Sequence, residues 1–277
     1  MSFRDILTFV TSQAQNEHVI AFAEQLARQT AGRVTAAAVN WQPNVAPVDG
    51  YVVDPLYGQL VEDARAQLRE EASKLDVRLK KETTDATVES YLIEFGAAGA
   101  ELGLRARHAD VCIVTRPTKS NRESAQAILE AAMFESGRPV IIVPPEWKSG
   151  PIGEHILFAW KPTREAARAL GDADELIARA KRVSVVTVDA KPSRGYGEQP
   201  GADIAAHIAF RGATTELFNL DSGGRSETKV ILDHAQVGGS DLIVMGGYGR
   251  SRMSEVIFGG VTREILRTTT VPVLMSH

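Results

Sequence analysis

The sequence predicts an α/β protein of two tandem doubly wound domains, each a five-stranded parallel sheet flanked by helices. Three observations carry this. The chain has 277 residues, and at about 150 residues per domain that makes two. Short β-branched or apolar runs alternate with amphipathic helical stripes along each half, the pattern of an open α/β sheet. The same runs also recur, in the same order, in the second half of the chain.

The first run, Asp5 to Val10 (DILTFV), reads like His155 to Trp160 (HILFAW), an offset of 155 − 5 = 150. Arg33 to Asn40 reads like Arg182 to Asp189, at 182 − 33 = 149. Thr87-Val88-Glu89 matches Thr214-Thr215-Glu216 at 127, and Ala109 to Val114 matches Ser240 to Met245 at 131. Pro139-Val140-Ile141-Ile142 matches Pro272-Val273-Leu274-Met275 at 133. Each run is short and β-branched or apolar, as expected for strands buried on both faces of a parallel sheet. The offset falls by 149 − 127 = 22 between the second and third runs, so the first half carries an insertion there. Trp41 to Leu60, rich in Pro, Val and Tyr, reads as that insertion, a loop. Between the runs lie helical stripes: Val19, Phe22, Ala23, Leu26; then Val61, Ala64, Leu68, Ala72, Leu75; then Ala166, Ala169, Leu170, Ala173, Ile177. The breaker cluster Pro144 to Pro151 reads as a linker. The expected division is residues 1–144, a linker at 145–152, and 153–277.

Composition narrows the class. Hydrophobic residues are 44% and charged residues 24%, which excludes disorder, collagen and coiled coil as the main theme. No apolar stretch reaches 18 residues, so no membrane span is expected. The net charge of −4 without a basic run argues against general nucleic-acid binding. Cys112 is the single cysteine and sits in an apolar run, which excludes a disulfide framework and reads as an inert buried thiol. The apolar run Ile6 to Val10 is too short for a signal peptide, and a reducing cytoplasm is the expected compartment.

In open α/β sheets the ligand crevice lies outside the carboxyl ends of the strands. The fourth run of the second half, ending at Met245, leads into Gly246-Gly247-Tyr248-Gly249-Arg250; nine residues separate Gly249 from Gly259, and Gly260-Val261-Thr262 opens a helix. Glycines admit close backbone approach, and helix N-terminal N–H groups favour phosphate. Thr262 adds a hydroxyl, and Arg250 or Arg252 a charge. With the closing Val-Pro-Val-Leu-Met, this spacing resembles the universal stress protein family, and the repeat makes the whole chain similar to a tandem member. The resemblance implies a five-stranded parallel sheet, and ATP, with magnesium, as the ligand of some members and none for others. It further implies an intramolecular pseudo-dimer, and a homodimer is a further possibility. Carried over residue by residue, Gly246, Gly249 and Gly259 match the phosphate-loop glycines. Val261 and Thr262 match the residues after the last glycine, and Val188 and Met245 match base contacts. Two positions depart from the pattern. Gly260 stands where a Ser or Thr donates to phosphate, and Lys161 stands where nucleotide binders carry an Asp.

The first half lacks the glycines: Thr115, Arg116 and Thr118 fall at the places of Gly246, Gly247 and Gly249, so nucleotide is expected in the second half only. Gly195 to Gly201 reads as a mobile loop that enters no apolar helix at once, and Ser222 to Ser226 as a turn with a helix cap. No histidine pair has metal-ligand spacing, and Glu264 reads as a solvated carboxylate. The expected function is a non-catalytic stress-response protein whose second domain binds ATP or a related adenine nucleotide. The rivals are slow ATP hydrolysis, for which no base is identifiable, and a ligand-free interaction scaffold. Finally, Val140 to Val143 and Val273 to Met275 are apolar strands that would be hazardous as open edges, so they are expected to meet.

Overall fold

A computed structural model describes residues 2–44, 55–82, 85–247 and 260–277. The chain divides into two compact units. One holds Phe3–Thr115 and Lys119–Arg138; the other holds Pro139–His277 with Ser2 and Arg116–Thr118.

In the N-terminal unit the elements run β1 (Asp5–Val10), α1 (Gln13–Thr30), β2 (Arg33–Trp41), α2 (Pro55–Glu82), β3 (Ala86–Ile93), α3 (Ala98–Ala106), β4 (Val111–Thr115) and α4 (Arg122–Glu130). The strands are parallel in the order β3-β2-β1-β4. The start of β1 is pinned by the Asp110 carboxylate, which accepts the backbone N–H groups of Arg4 and Asp5 at 2.9 Å each. Helix α1 buries Val19, Phe22, Ala23 and Leu26, the stripe read from the sequence. In α2 the residues Leu68, Leu75 and Leu79 pack on β1 and β2. The insertion read at Trp41 to Leu60 is not all loop. Trp41 closes β2, and Pro55 to Leu60 forms the first turns of α2, with Pro55 at the first helical position, where its missing N–H costs nothing, and Gly58 tolerated inside the helix. Residues 45–54 lie outside the described residues.

The C-terminal unit contains β5 (Val140–Val143), β6 (His155–Ala159), α5 (Arg164–Asp172), α6 (Asp174–Arg179), β7 (Arg182–Val188), α7 (Ala202–Ala209), β8 (Thr215–Leu220), α8 (Glu227–Val237), β9 (Leu242–Gly246), α9 (Gly260–Thr268) and β10 (Val273–Ser276). Its strand order is β5-β10-β9-β6-β7-β8, with β10 to β8 all parallel. Strand β5 pairs antiparallel with β10, in the register Val273↔Ile142, Leu274↔Ile141 and Met275↔Val140. The two apolar strands therefore meet, as their hazard as edges required. Asp241 repeats the role of Asp110: its carboxylate accepts the N–H groups of Gly153, Glu154 and His155 at the entry to β6.

Two readings are corrected here. The stripe from Ala166 to Ile177 is two helices, broken at Ala173 (φ −84°, ψ 3°). Just before the break, the buried Asp172 carboxylate accepts from Ser276 Oγ at 2.7 Å. The Gly195–Gly201 segment is a compact turn closed by a Ser193–Gly197 bridge, and it leads at once into α7. Gly201 caps that helix at φ 85°, with an added Cβ only 2.7 Å from Leu217 Cδ1. The left-handed conformation favours glycine there.

Among the described residues no helix is long and apolar enough to cross a membrane, and no group of three His, Cys, Asp or Glu residues could hold a metal ion.

Candidate functional site

Strand order reverses direction between β6 and β9, and this switch point is where an open α/β sheet gathers its ligand. A cavity of about 800 Å3 lies there, lined by residues from the ends of β6, β7 and β9 and from the starts of α5, α8 and α9. Its size falls within the range of small-molecule sites. Of the residues singled out in the sequence, Lys161, Val188, Met245, Gly246, Gly260, Val261 and Thr262 all line it. Gly249, Arg250 and Gly259 lie outside the described residues.

The wall is mixed. Val186, Val188, Ile231 and Met245 supply an apolar side. Lys161 follows β6 and its ammonium donates to Glu227 Oε2 at 3.0 Å, with side chains 59% and 37% exposed. A pair so exposed contributes at most about 1 kcal/mol. Glu227 is the first residue of α8 because Ser226 caps that helix, its hydroxyl accepting from Lys229 N at 3.2 Å. This is the turn and cap read from the sequence. Ser226 Oγ also donates to Glu264 Oε1 at 3.0 Å. Glu264 is therefore half-buried and engaged, not a freely solvated carboxylate. Thr228 Oγ1 donates to the Val261 carbonyl at 3.3 Å, so the first turns of α8 and α9 are tied together.

The glycines divide by reason. A Cβ on Gly246 would lie 2.5 Å from Ala166 N and 2.7 Å from the Glu165 carbonyl carbon. That glycine is demanded by the approach of β9 to α5. A Cβ on Gly260 would meet nothing within 4 Å, so packing does not require glycine there. Tyr196, on the turn beyond β7, closes one side, and burial lifts its hydroxyl above the ordinary value. Reading by glycine pattern alone missed Trp160, Arg164, Tyr196 and Glu227. Position would have found three of them: Trp160 and Arg164 flank the end of β6, and Glu227 follows a recognisable cap.

The N-terminal unit is built differently at its strand ends. Thr115, at the place of Gly246, bonds through Oγ1 to His18 Nε2 at 2.9 Å. The space beside it amounts to about 10 Å3, hardly one water. Asn16 Oδ1 accepts from Thr11 and Ser12, and Gln13 N donates to Glu71 Oε2 at 2.9 Å. An internal carboxylate thus already sits at the start of α1. A neighbouring hollow of about 210 Å3 is lined by Thr11, Asn40, Glu70 and Glu71. Arg116, at the place of Gly247, belongs to the C-terminal unit, where its guanidinium donates to the Glu146 carboxylate and the Arg267 carbonyl.

Residues 153–277 match the model of the universal stress protein family. They form a universal stress protein domain. A universal stress protein of Synechocystis sp. is 29% identical over 93 residues, a stretch that spans 26% of this chain and 32% of that protein. The crystal structure of a universal stress protein from Archaeoglobus fulgidus aligns with 98% of this chain and 95% of its own, at 14% identity and a TM-score of 0.73. The whole chain therefore shares the fold of that structure. A universal stress protein solved in complex with cAMP aligns with 45% of this chain and 97% of its own, at 20% identity and a TM-score of 0.34. In the universal stress domain of this chain the cavity lies where the glycine-bearing strand β9 ends.

Proposed function

We propose that this chain is a non-catalytic stress-response protein of the universal stress type, and that its C-terminal cavity takes ATP or a related adenine nucleotide. The observation that carries the reading is the cavity itself: about 800 Å3 at the switch point, lined by seven residues that the sequence had singled out. Its apolar side suits a base, and the first turn of α9, with Gly260 open toward it, suits phosphate. The binding state would then be read by partners or by a homodimer. The two halves are taken as tandem copies, of which only the second keeps the site.

One observation favours a second reading, an interaction scaffold without a small ligand. Gly246 is explained by packing on α5, and Lys161 already has a partner in Glu227. Native mass spectrometry of the purified chain with ATP separates the two. The nucleotide reading expects one bound ATP per chain, lost in Gly249→Leu while the circular dichroism spectrum is kept. An ATP-free chain at saturating ligand leaves the scaffold. Chromatography of the incubated ATP is expected to give no ADP; steady turnover would make the protein an enzyme.

A further inference from the structure

We infer that the Lys161–Glu227 pair is a displaceable latch: Lys161 is the cation that recognises the phosphates of the cavity's ligand, and Glu227 is a built-in competitor that holds it when no ligand is bound. This rests on the nucleotide reading above and adds how the site is regulated and which part of the ligand it selects.

Both side chains line the cavity, and their contacts, 3.0 and 3.3 Å, run from one ammonium to both oxygens of one carboxylate. Each is fixed at its base by structure that has no need of the pair. Lys161 leaves β6 just before Pro162 and the capping Thr163, whose hydroxyl accepts from Ala166 N. Glu227 is set by the Ser226 cap of α8. The two backbones are thus placed by separate elements, and only the exposed tips meet. An exposed pair is weak, so a polyphosphate that carries several charges and more acceptor oxygens can draw the ammonium away at little cost. When it does, Glu227 stays in the wall as a like charge facing the incoming anion, and the affinity is lowered by that repulsion. Tyr196 lines the same cavity. The consequence is selectivity by charge: the latch discriminates nucleotides from nucleosides and leaves the base contacts untouched.

Calorimetric titration of the full chain with ATP and with adenosine, in chelator and at fixed ionic strength, tests this in the wild type, Glu227→Gln, Lys161→Met and Lys161→Arg. The latch expects Glu227→Gln to bind ATP about fivefold tighter or more, and Lys161→Met to bind it about tenfold weaker. Lys161→Arg should stay near the wild type, with adenosine within twofold throughout. Circular dichroism melts of each variant show that the fold is kept. If the wild type binds ATP and Glu227→Gln binds it equally or more weakly, the latch is wrong and the nucleotide site stands. Parallel losses for adenosine and ATP in Lys161→Met also overturn it, because Lys161 would then be serving the base or the packing. If no variant binds either ligand, the latch and the nucleotide reading fall together. ATP binding that first emerges in Glu227→Gln supports both.

Discussion

At the scale of single residues, Gly246 and Cys112 make the sharpest tests. A methyl group on Gly246 would press into the backbone of Ala166 and Glu165, atoms that cannot rotate aside. Gly246→Ala is expected to lose about 1–3 kcal/mol, read as a lower urea midpoint, whereas Gly260→Ala, with open space around its Cβ, should unfold like the wild type. Equal stability of the two variants would contradict the packing account. Cys112 is fully buried, and burial pushes its thiol up to about 12. It should therefore resist alkylation in the folded chain and react only on unfolding. Glu89 supplies a pH test. Hydrogen bonds from Arg105 hold its carboxyl below the ordinary 4.5 against the opposing pull of partial burial. A depressed folded value stabilises the protein above the unfolded value and loses that contribution as pH falls through and below it. Thermal melts should fall as the pH drops below 4.5, and Glu89→Gln should flatten that dependence.

At the scale of elements, helix α8 is worth dissecting because its N-terminus organises one wall of the cavity. Ser226 accepts from Lys229 N and donates to Glu264 on α9. Removing a cap of this kind costs about 1 kcal/mol, so Ser226→Ala should lower stability by roughly that amount and Ser226→Asp, which keeps an acceptor, should lose less. A melting temperature indifferent to both changes would mean that the cap does not hold α8 in solution. The turn before α7 illustrates how local chemistry and packing combine. Its glycines resemble a phosphate fingerprint, yet Gly201 is favoured by a left-handed backbone, and a Cβ on Gly195 would lie 3.2 Å from Pro162. Those glycines serve the turn that carries Tyr196.

At the scale of the whole molecule, the antiparallel pairing of β5 with β10 sets where a stable fragment can begin. Without β5, the row Val273-Leu274-Met275 would become an open apolar edge, which invites association. In size-exclusion chromatography with light scattering, a fragment of residues 145–277 is expected to associate or precipitate more than one of residues 139–277, which keeps β5 on β10 but leaves the apolar row of β5 itself as the outer edge. Equal behaviour of the two fragments would show that β5 does not protect that edge.

Much of this was legible in the chain alone. The apolar runs marked β1, β2, β4, β6, β7 and β9 as strands buried on both faces, whereas β3 and β8, at the ends of their strand orders, carry polar residues and are only partly buried. Their recurrence dictated the shared order of elements in both halves, and Gly246, Gly260 and Thr262 marked the end of the sheet where the cavity lies. What local pattern could not decide was anything set by distant neighbours. The break at Ala173 follows an Asp172 engaged by Ser276, 104 positions away. The role of Gly246 depends on where α5 lies, and the state of Lys161 on a carboxylate 66 positions along the chain. A sequence states what each residue can do. Which partner it meets is settled by the packing of elements that local propensity does not encode.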